Sequence, residues 1–284
     1  MIAATPSIPD ATGLVPEAVD ETIGPLQGRM LAATLGHAIP PLEPGAAIPS
    51  LAHWLHCLPV VAHDQLDENG HPTRGEHLPN LPYKKRMFAG ADTRFLEPIR
   101  VGEPVRRTAR VTDIAAKEGR SGSFYLVNVR QEFSGPRGLL LVEDQKIVYR
   151  DAVRPPQAAG RAVASVETDS VWKRSYLPDE RMLFRYSALL FSAHRIHFDR
   201  DFTLMEGYPA LVVHGQLVAT CLLRLAEENA GRSVESFSYR SVKPMFEKRP
   251  FFACGRPHGQ GAELWATDDQ GAICVRASAV FSDS

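Results

Sequence analysis

His214-Gly-Gln-Leu-Val-Ala-Thr-Cys-Leu-Leu-Arg-Leu-Ala-Glu-Glu-Asn-Ala-Gly231 is the stretch on which the fold turns. Leu217, Val218, Cys221, Leu222 and Leu225 recur at the three- and four-residue spacing of one helix face. Gly231 stands where a left-handed residue stops a helix. The segment therefore predicts a helix over 214–230, apolar enough to be buried. Strand-like runs follow at Glu235–Met245, Phe251–Arg256, Gly261–Thr267 and Ala272–Phe281. A single apolar helix followed by short strands is the pattern of a helix cradled by a curved antiparallel sheet.

The first half repeats that order. Pro49-Ser-Leu-Ala-His-Trp-Leu-His-Cys-Leu58 has apolar residues at helical spacing, with Ser50 as the expected N-cap. Strands are expected within Asp92–Ile99, Glu103–Ile114, Gly122–Phe133 and Gly138–Tyr149, and Glu118-Gly-Arg-Ser-Gly122 is read as a tight turn between two of them. The Pro- and Ala-rich stretch Val153–Gly160 marks a linker. The expected organisation is an N-terminal unit over 19–151, a linker over 152–164 and a C-terminal unit over 165–284. Each unit is expected to be α+β, with one long central helix wrapped by a sheet. The repeat is architectural, since the halves show no evident residue identity.

Composition narrows the function. The chain has 284 residues, a formal net charge of −1 and a hydrophobic fraction of 44%. That is enough for real cores and lacks the basic excess of a nucleic-acid or membrane-surface binder. Met1–Gly13 carries no basic head and apolar run, so no signal peptide is expected. Cys57, Cys221, Cys254 and Cys274 are scattered in apolar contexts, as expected of reduced thiols in a cytoplasmic protein rather than of a zinc or disulfide framework.

The chemistry concentrates in Tyr186-Ser-Ala-Leu-Leu-Phe-Ser-Ala-His-Arg-Ile-His-Phe-Asp199 and Gly207-Tyr-Pro-Ala-Leu-Val-Val-His-Gly-Gln-Leu217. Together these resemble the hydratase motif of MaoC-like double hot-dog proteins, in the hydroxyacyl-thioester dehydratase type 2 branch. Within that branch the chain is most similar to the mesaconyl-C4-CoA and itaconyl-CoA hydratases. Weaker family-like pieces lie in the first half: His53-Trp-Leu-His56, Arg86-Met-Phe-Ala-Gly90, Pro98-Ile-Arg-Val-Gly-Glu-Pro104 and Lys117–Gly122. The first half contains no hydratase motif, so its expected part is to supply walls of an acyl pocket.

The resemblance carries the motif histidine onto His197. It carries the glycine whose backbone N–H meets the thioester oxygen onto Gly215, eighteen positions later. The family's catalytic aspartate falls on Ser192, its asparagine on His194 and its proline on Arg195. Serine is no carboxylate base, so the usual pair of acid/base groups is altered. The expected catalytic set is His197 as acid/base and Gly215 as oxyanion donor, with Ser192 or His194 placing the water. The expected substrate-binding set is Arg195, Tyr208, His214 and Arg86.

These groups suit the hydration of an α,β-unsaturated thioester. An imidazole exchanges protons near neutral pH. A helix N-terminus offers unpaired N–H groups to the enolate oxygen, and a glycine there permits close approach. Arg195 beside His197 suggests a bidentate partner for a second carboxylate on the acyl group. The basic clusters Tyr83–Arg86 and Lys243, Lys248 and Arg249 suggest contacts with CoA phosphates, although solvated surface charge is the commoner cause of such clusters. Plainer readings stand beside these. His194 and His197 are also compatible with structural histidines. His53, His56 and Asp199 read first as structural, and His214 as a helix cap.

The resemblance thus implies a hydro-lyase acting on an acyl-CoA thioester, itaconyl-CoA or mesaconyl-C4-CoA giving citramalyl-CoA. It implies no metal, no cofactor beyond the CoA of the substrate, and a homodimer. The competing readings are a (3R)-hydroxyacyl-CoA or acyl-carrier-protein dehydratase of fatty or polyketide chains, and a non-catalytic thioester-binding protein.

Overall fold

The computed structural model describes residues 13–83, 85–119, 122–150 and 169–282. In chain order these form β1 (Glu17–Thr22), α1 (Leu26–Thr34), β2 (Lys85–Phe95), β3 (Pro104–Gly119), β4 (Gly122–Gly135) and β5 (Gly138–Arg150). Then come β6 (Trp172–Tyr176), α2 (Glu180–Leu189), α3 (Arg200–Met205), α4 (Gly215–Ala230), β7 (Val234–Ser241), β8 (Phe251–His258), β9 (Gly261–Thr267) and β10 (Ile273–Phe281). The expected linker over 152–164 lies outside the described residues.

All ten strands join one antiparallel sheet in the order β1-β3-β4-β5-β2-β7-β10-β9-β8-β6. Read from each edge inward, the two halves have the same order: β1, β3, β4, β5, β2 and β6, β8, β9, β10, β7. The repeat that side-chain identity conceals is therefore present in topology, and the fold is a double hot-dog. The seam is β2 against β7, in register from Gly90↔Arg240 to Arg94↔Ser236. Gly90 sits at a bulge in β2 with φ +158°, and a Cβ there would stand 2.2 Å from the Tyr239 carbonyl oxygen. The two halves approach so closely at this point that only glycine fits.

The helix predicted over 214–230 is α4. It ends at Gly231 with φ +62°, whose N–H closes on the Glu227 carbonyl. Leu217, Val218, Cys221, Leu222 and Leu225 are buried with Phe237, Phe251, Leu264 and Val275 of the surrounding strands. No helix among the described residues is long and apolar enough to cross a membrane.

The first half departs from expectation. The helix predicted over 49–58 is a single 3-10 turn, Ala52–Leu55. Leu51 and Cys57, on either side of it, are left-handed, at φ +64° and +51°. Pro59 follows Leu58 and disfavours helical backbone there. Polar anchors replace the missing helical bonds. His53 Nε2 and Trp54 Nε1 donate to the Glu143 carboxylate at 3.0 and 2.9 Å, and His56 Nδ1 donates to Glu21 at 2.7 Å. Ser50 does not cap a helix; its hydroxyl donates to Glu227 of α4 at 2.6 Å. With no helix to fill it, the concave face of the first half holds a cavity of about 500 Å³.

Candidate active site

The Arg195–His197 turn lies between α2 and α3 and is fixed from both ends. Asp199 caps α3 by accepting from Phe202 N at 3.0 Å. Val212 N donates to the Ile196 carbonyl, and His197 Nδ1 donates to the Val212 carbonyl at 2.7 Å. The proton is thereby held on Nδ1, leaving Nε2 with its lone pair. Burial lowers the His197 pKa to about 4, against the opposing pull of the Val212 carbonyl, so the ring is neutral at physiological pH.

Four imidazoles form a chain. His197 stacks on His214 with centroids 3.6 Å apart, His194 meets His197 edge-on at 5.2 Å, and His71 packs on His194 at 4.0 Å. Burial, then the neighbouring His197 and Arg86, bring His194 down to about 2. His71 and His214 are also held well below the ordinary histidine range, mainly by burial. The rings lie face on face or edge on face, and among the described residues no three His, Cys, Asp or Glu side chains converge as metal ligands.

His214 directly precedes Gly215, the first residue of α4. Stacking on His214 therefore sets the His197 ring beside the N-terminus of that helix. His214 does not cap it by a side-chain bond; its Nε2 shares a 3.0 Å hydrogen bond with the Ser187 hydroxyl instead. The leading N–H groups of α4, with the positive end of its dipole, are left without an intrahelical partner. Gly215 is tightly placed: a Cβ would stand 3.0 Å from the Ser241 hydroxyl oxygen. Gln216, the next residue, lines the first-half cavity.

His71 had no counterpart in the sequence reading. It belongs to the loop Asp67-Glu-Asn-Gly-His71 of the first half, folded by Asp67, whose carboxylate accepts from the N–H groups of Asn69 and His71. Arg195 N donates to the Asn69 carbonyl at 3.0 Å. Gly70, at φ +85°, presses so closely that a Cβ would lie 1.8 Å from the Ala193 carbonyl oxygen. The Asp-x-Asn-Gly turn pattern was the available signal, but nothing in sequence tied it to a motif more than a hundred residues away.

Other candidates are placed differently from expectation. Ser192 Oγ accepts from His194 N at 3.4 Å, which makes it a brace of the turn. Arg195 is committed elsewhere: its guanidinium donates to Asp199 at 2.8 and 3.0 Å and to the Glu68 carbonyl at 3.2 Å, and covers the Phe202 ring. It is therefore not available as the bidentate carboxylate clamp that adjacency suggested. Tyr208 is buried with Ile196, Phe202 and Val212, its hydroxyl 3.7 Å from the Met87 sulfur, so it supports the turn from beneath rather than meeting substrate. Arg86 lines the cavity, with its charge felt at His71 and His194.

A family model described as hydroxyacyl-thioester dehydratase type 2 matches residues 51–247. The chain belongs to this family. A hydroxyacyl-thioester dehydratase type 2 protein is a hydro-lyase, and the relatives agree. Over 263 residues the chain is 40% identical to the mesaconyl-C(4)-CoA hydratase of Chloroflexus aurantiacus, spanning 92% of this chain and 94% of that one. Over 271 residues it is 24% identical to the mitochondrial hydroxyacyl-thioester dehydratase type 2 of Schizosaccharomyces pombe, spanning 83% and 85%. Among solved structures, a MaoC-like dehydratase from Phytophthora capsici superposes with a TM-score of 0.71 at 12% identity, covering 98% of both chains. A Mycobacterium tuberculosis protein described as a double hot-dog gives 0.57 at 12% identity, covering 96% of this chain and 98% of that one. These last two speak for the fold.

Proposed function

We propose that this enzyme adds water to the double bond of a short, branched dicarboxylic enoyl-CoA, mesaconyl-C4-CoA or itaconyl-CoA, giving citramalyl-CoA. The observation that carries the reading is the stacking of His197 on the residue that precedes the uncapped N-terminus of α4. In this scheme the thioester oxygen sits at the Gly215 N–H. As water adds to the β-carbon of mesaconyl-C4-CoA, negative charge collects on that oxygen, and preorganised N–H donors there contribute about 3–4 kcal/mol each. His197 Nε2 takes the proton from the attacking water, and the resulting imidazolium returns a proton to the α-carbon; in itaconyl-CoA, whose double bond is not conjugated with the thioester, the proton goes to the methylene carbon instead. His194, beside the same turn, places the water. The steps move only protons and water, and coenzyme A enters as part of the substrate.

The lining of the cavity offers polar partners for a short dicarboxylic acyl group beside apolar wall: Gln65, Arg86, Gln131, Gln145 and Gln216 reach it among Val19, Trp54, Leu58, Val129, Phe133 and Ile147. The 40% identity to a mesaconyl-C(4)-CoA hydratase supports the same choice. The test is hydration by the purified enzyme across mesaconyl-C4-CoA, itaconyl-CoA, crotonyl-CoA and a long-chain 2-enoyl-CoA, followed as loss of enoyl-thioester absorbance and, for itaconyl-CoA, whose double bond is not conjugated with the thioester, as citramalyl-CoA formed. The dicarboxylic substrates are expected to give the highest kcat/KM. Faster turnover of the long-chain substrate would replace this reading with that of a fatty-acyl dehydratase.

A further inference from the structure

We infer that Arg86 binds the free carboxylate of the acyl group and so sets the enzyme's preference for dicarboxylic substrates; this rests on the function proposed above. In mesaconyl-C4-CoA the free carboxylate is attached to the carbon that takes up water. Its partner must therefore stand next to the base, on the wall between the imidazoles and the cavity, and not at the end of a tunnel.

Three other cations near that wall are already engaged. Arg195 holds Asp199, Arg107 holds Glu17 and the Cys57 carbonyl, and Arg74 donates to the carbonyls of Leu81 and Tyr83. Arg86 has no carboxylate within ion-pair distance among the described residues. It shares the cavity wall with Thr73, two residues past His71, and with Gln216, one residue past Gly215. Arg86 thus stands between the cavity that it lines and the imidazoles His71 and His194, which its charge reaches. On the sheet, Arg86 pairs with Tyr149 across β2 and β5, and the guanidinium acts on the buried Tyr149 hydroxyl, which has no other polar partner. A half-buried cation beside a neutral hydroxyl is left with unsatisfied charge, which a carboxylate accepting two parallel N–H bonds neutralises.

Succinyl-CoA and butyryl-CoA isolate this contact, because they differ only by a carboxylate or methyl on the β-carbon and neither has a double bond to hydrate. By calorimetric titration the wild type is expected to bind succinyl-CoA at least about 30-fold more tightly. Arg86→Met is expected to bring the two within about threefold, and to lower the ratio of kcat/KM for mesaconyl-C4-CoA over 3-methylcrotonyl-CoA by about 100-fold. Arg86→Lys keeps the charge without the forked donors and should fall between; it also serves as the test should Arg86→Met not fold. An unchanged succinyl-to-butyryl ratio in the variants overturns the assignment of Arg86 while leaving dicarboxylate hydration standing. A wild type that does not hydrate either dicarboxylic substrate overturns the functional reading itself, whatever Arg86 binds.

Discussion

His197 is held ready by two opposing influences. Burial favours the neutral ring, and the Val212 carbonyl keeps the proton on Nδ1. In the proposed mechanism the neutral form is the base, so activity is expected in the pH range above its depressed pKa of about 4 and is expected to be lost as the pH falls through that value. For hydration, kcat/KM is expected to be flat between about pH 6 and 8 and to fall roughly tenfold per unit only in the acid limb. An acid limb centred near 6.5 would show a ring open to water in the working enzyme. Replacement His197→Ala is expected to lower turnover at least about a hundredfold in protein that circular dichroism shows to be folded. Near-normal turnover in that variant would take the imidazole out of the mechanism.

Among the elements, α4 does two jobs. Its flank fills the second half, and in the proposed mechanism its uncapped first turn meets the thioester oxygen. The second job depends on a backbone hydrogen, which side-chain changes do not reach. Proline does reach it. The first helical position tolerates proline because its N–H is unused by the helix, and His214 already has the extended ψ of 128° that a following proline demands. Gly215→Pro, combined with Ser241→Ala to relieve the 3.0 Å approach, is expected to keep the helix and lose about 10²–10³ in kcat. Circular dichroism and kinetics on the same preparation decide it: a folded double variant with full activity would mean that another donor holds the thioester oxygen.

Across the whole molecule, the two halves share a topology and divide the labour. The second keeps its helix and carries the hydratase turn. The first exchanges its helix for a 3-10 turn and leaves a cavity, then lends His71 and Arg86 to the site. Glu143 of β5 holds that exchange together. It is fully buried and accepts from His53, Trp54, Thr93 and Gln145. Thr93 is itself paired with Phe237 across the seam, so the carboxylate links the collapsed turn to the junction of the halves. Truncation Glu143→Ala would strand these buried donors and is expected to cost about 3–5 kcal/mol, read as a lower urea midpoint. A loss under about 1 kcal/mol would show that the turn is held by packing alone.

By itself the sequence determined what depends on neighbours along the chain: the α4 helix and its glycine stop, eight of the ten strands as runs along the chain, though not β1 or β6, and the His197 turn with Gly215 at a fixed spacing. Those are local periodicities and short motifs, and they carry their own stereochemistry. It overcalled the helix at 49–58, because apolar spacing is silent about a buried Glu143 that captures His53 and Trp54 from ninety residues away. It missed His71, and it offered Arg195 for a contact that Asp199 already occupies. Which imidazoles stack, which cations hold a carboxylate and where a cavity opens were decided only in the tertiary structure. They follow from burial and from the pairing of charges between strands and loops that the chain brings together only when the sheet closes.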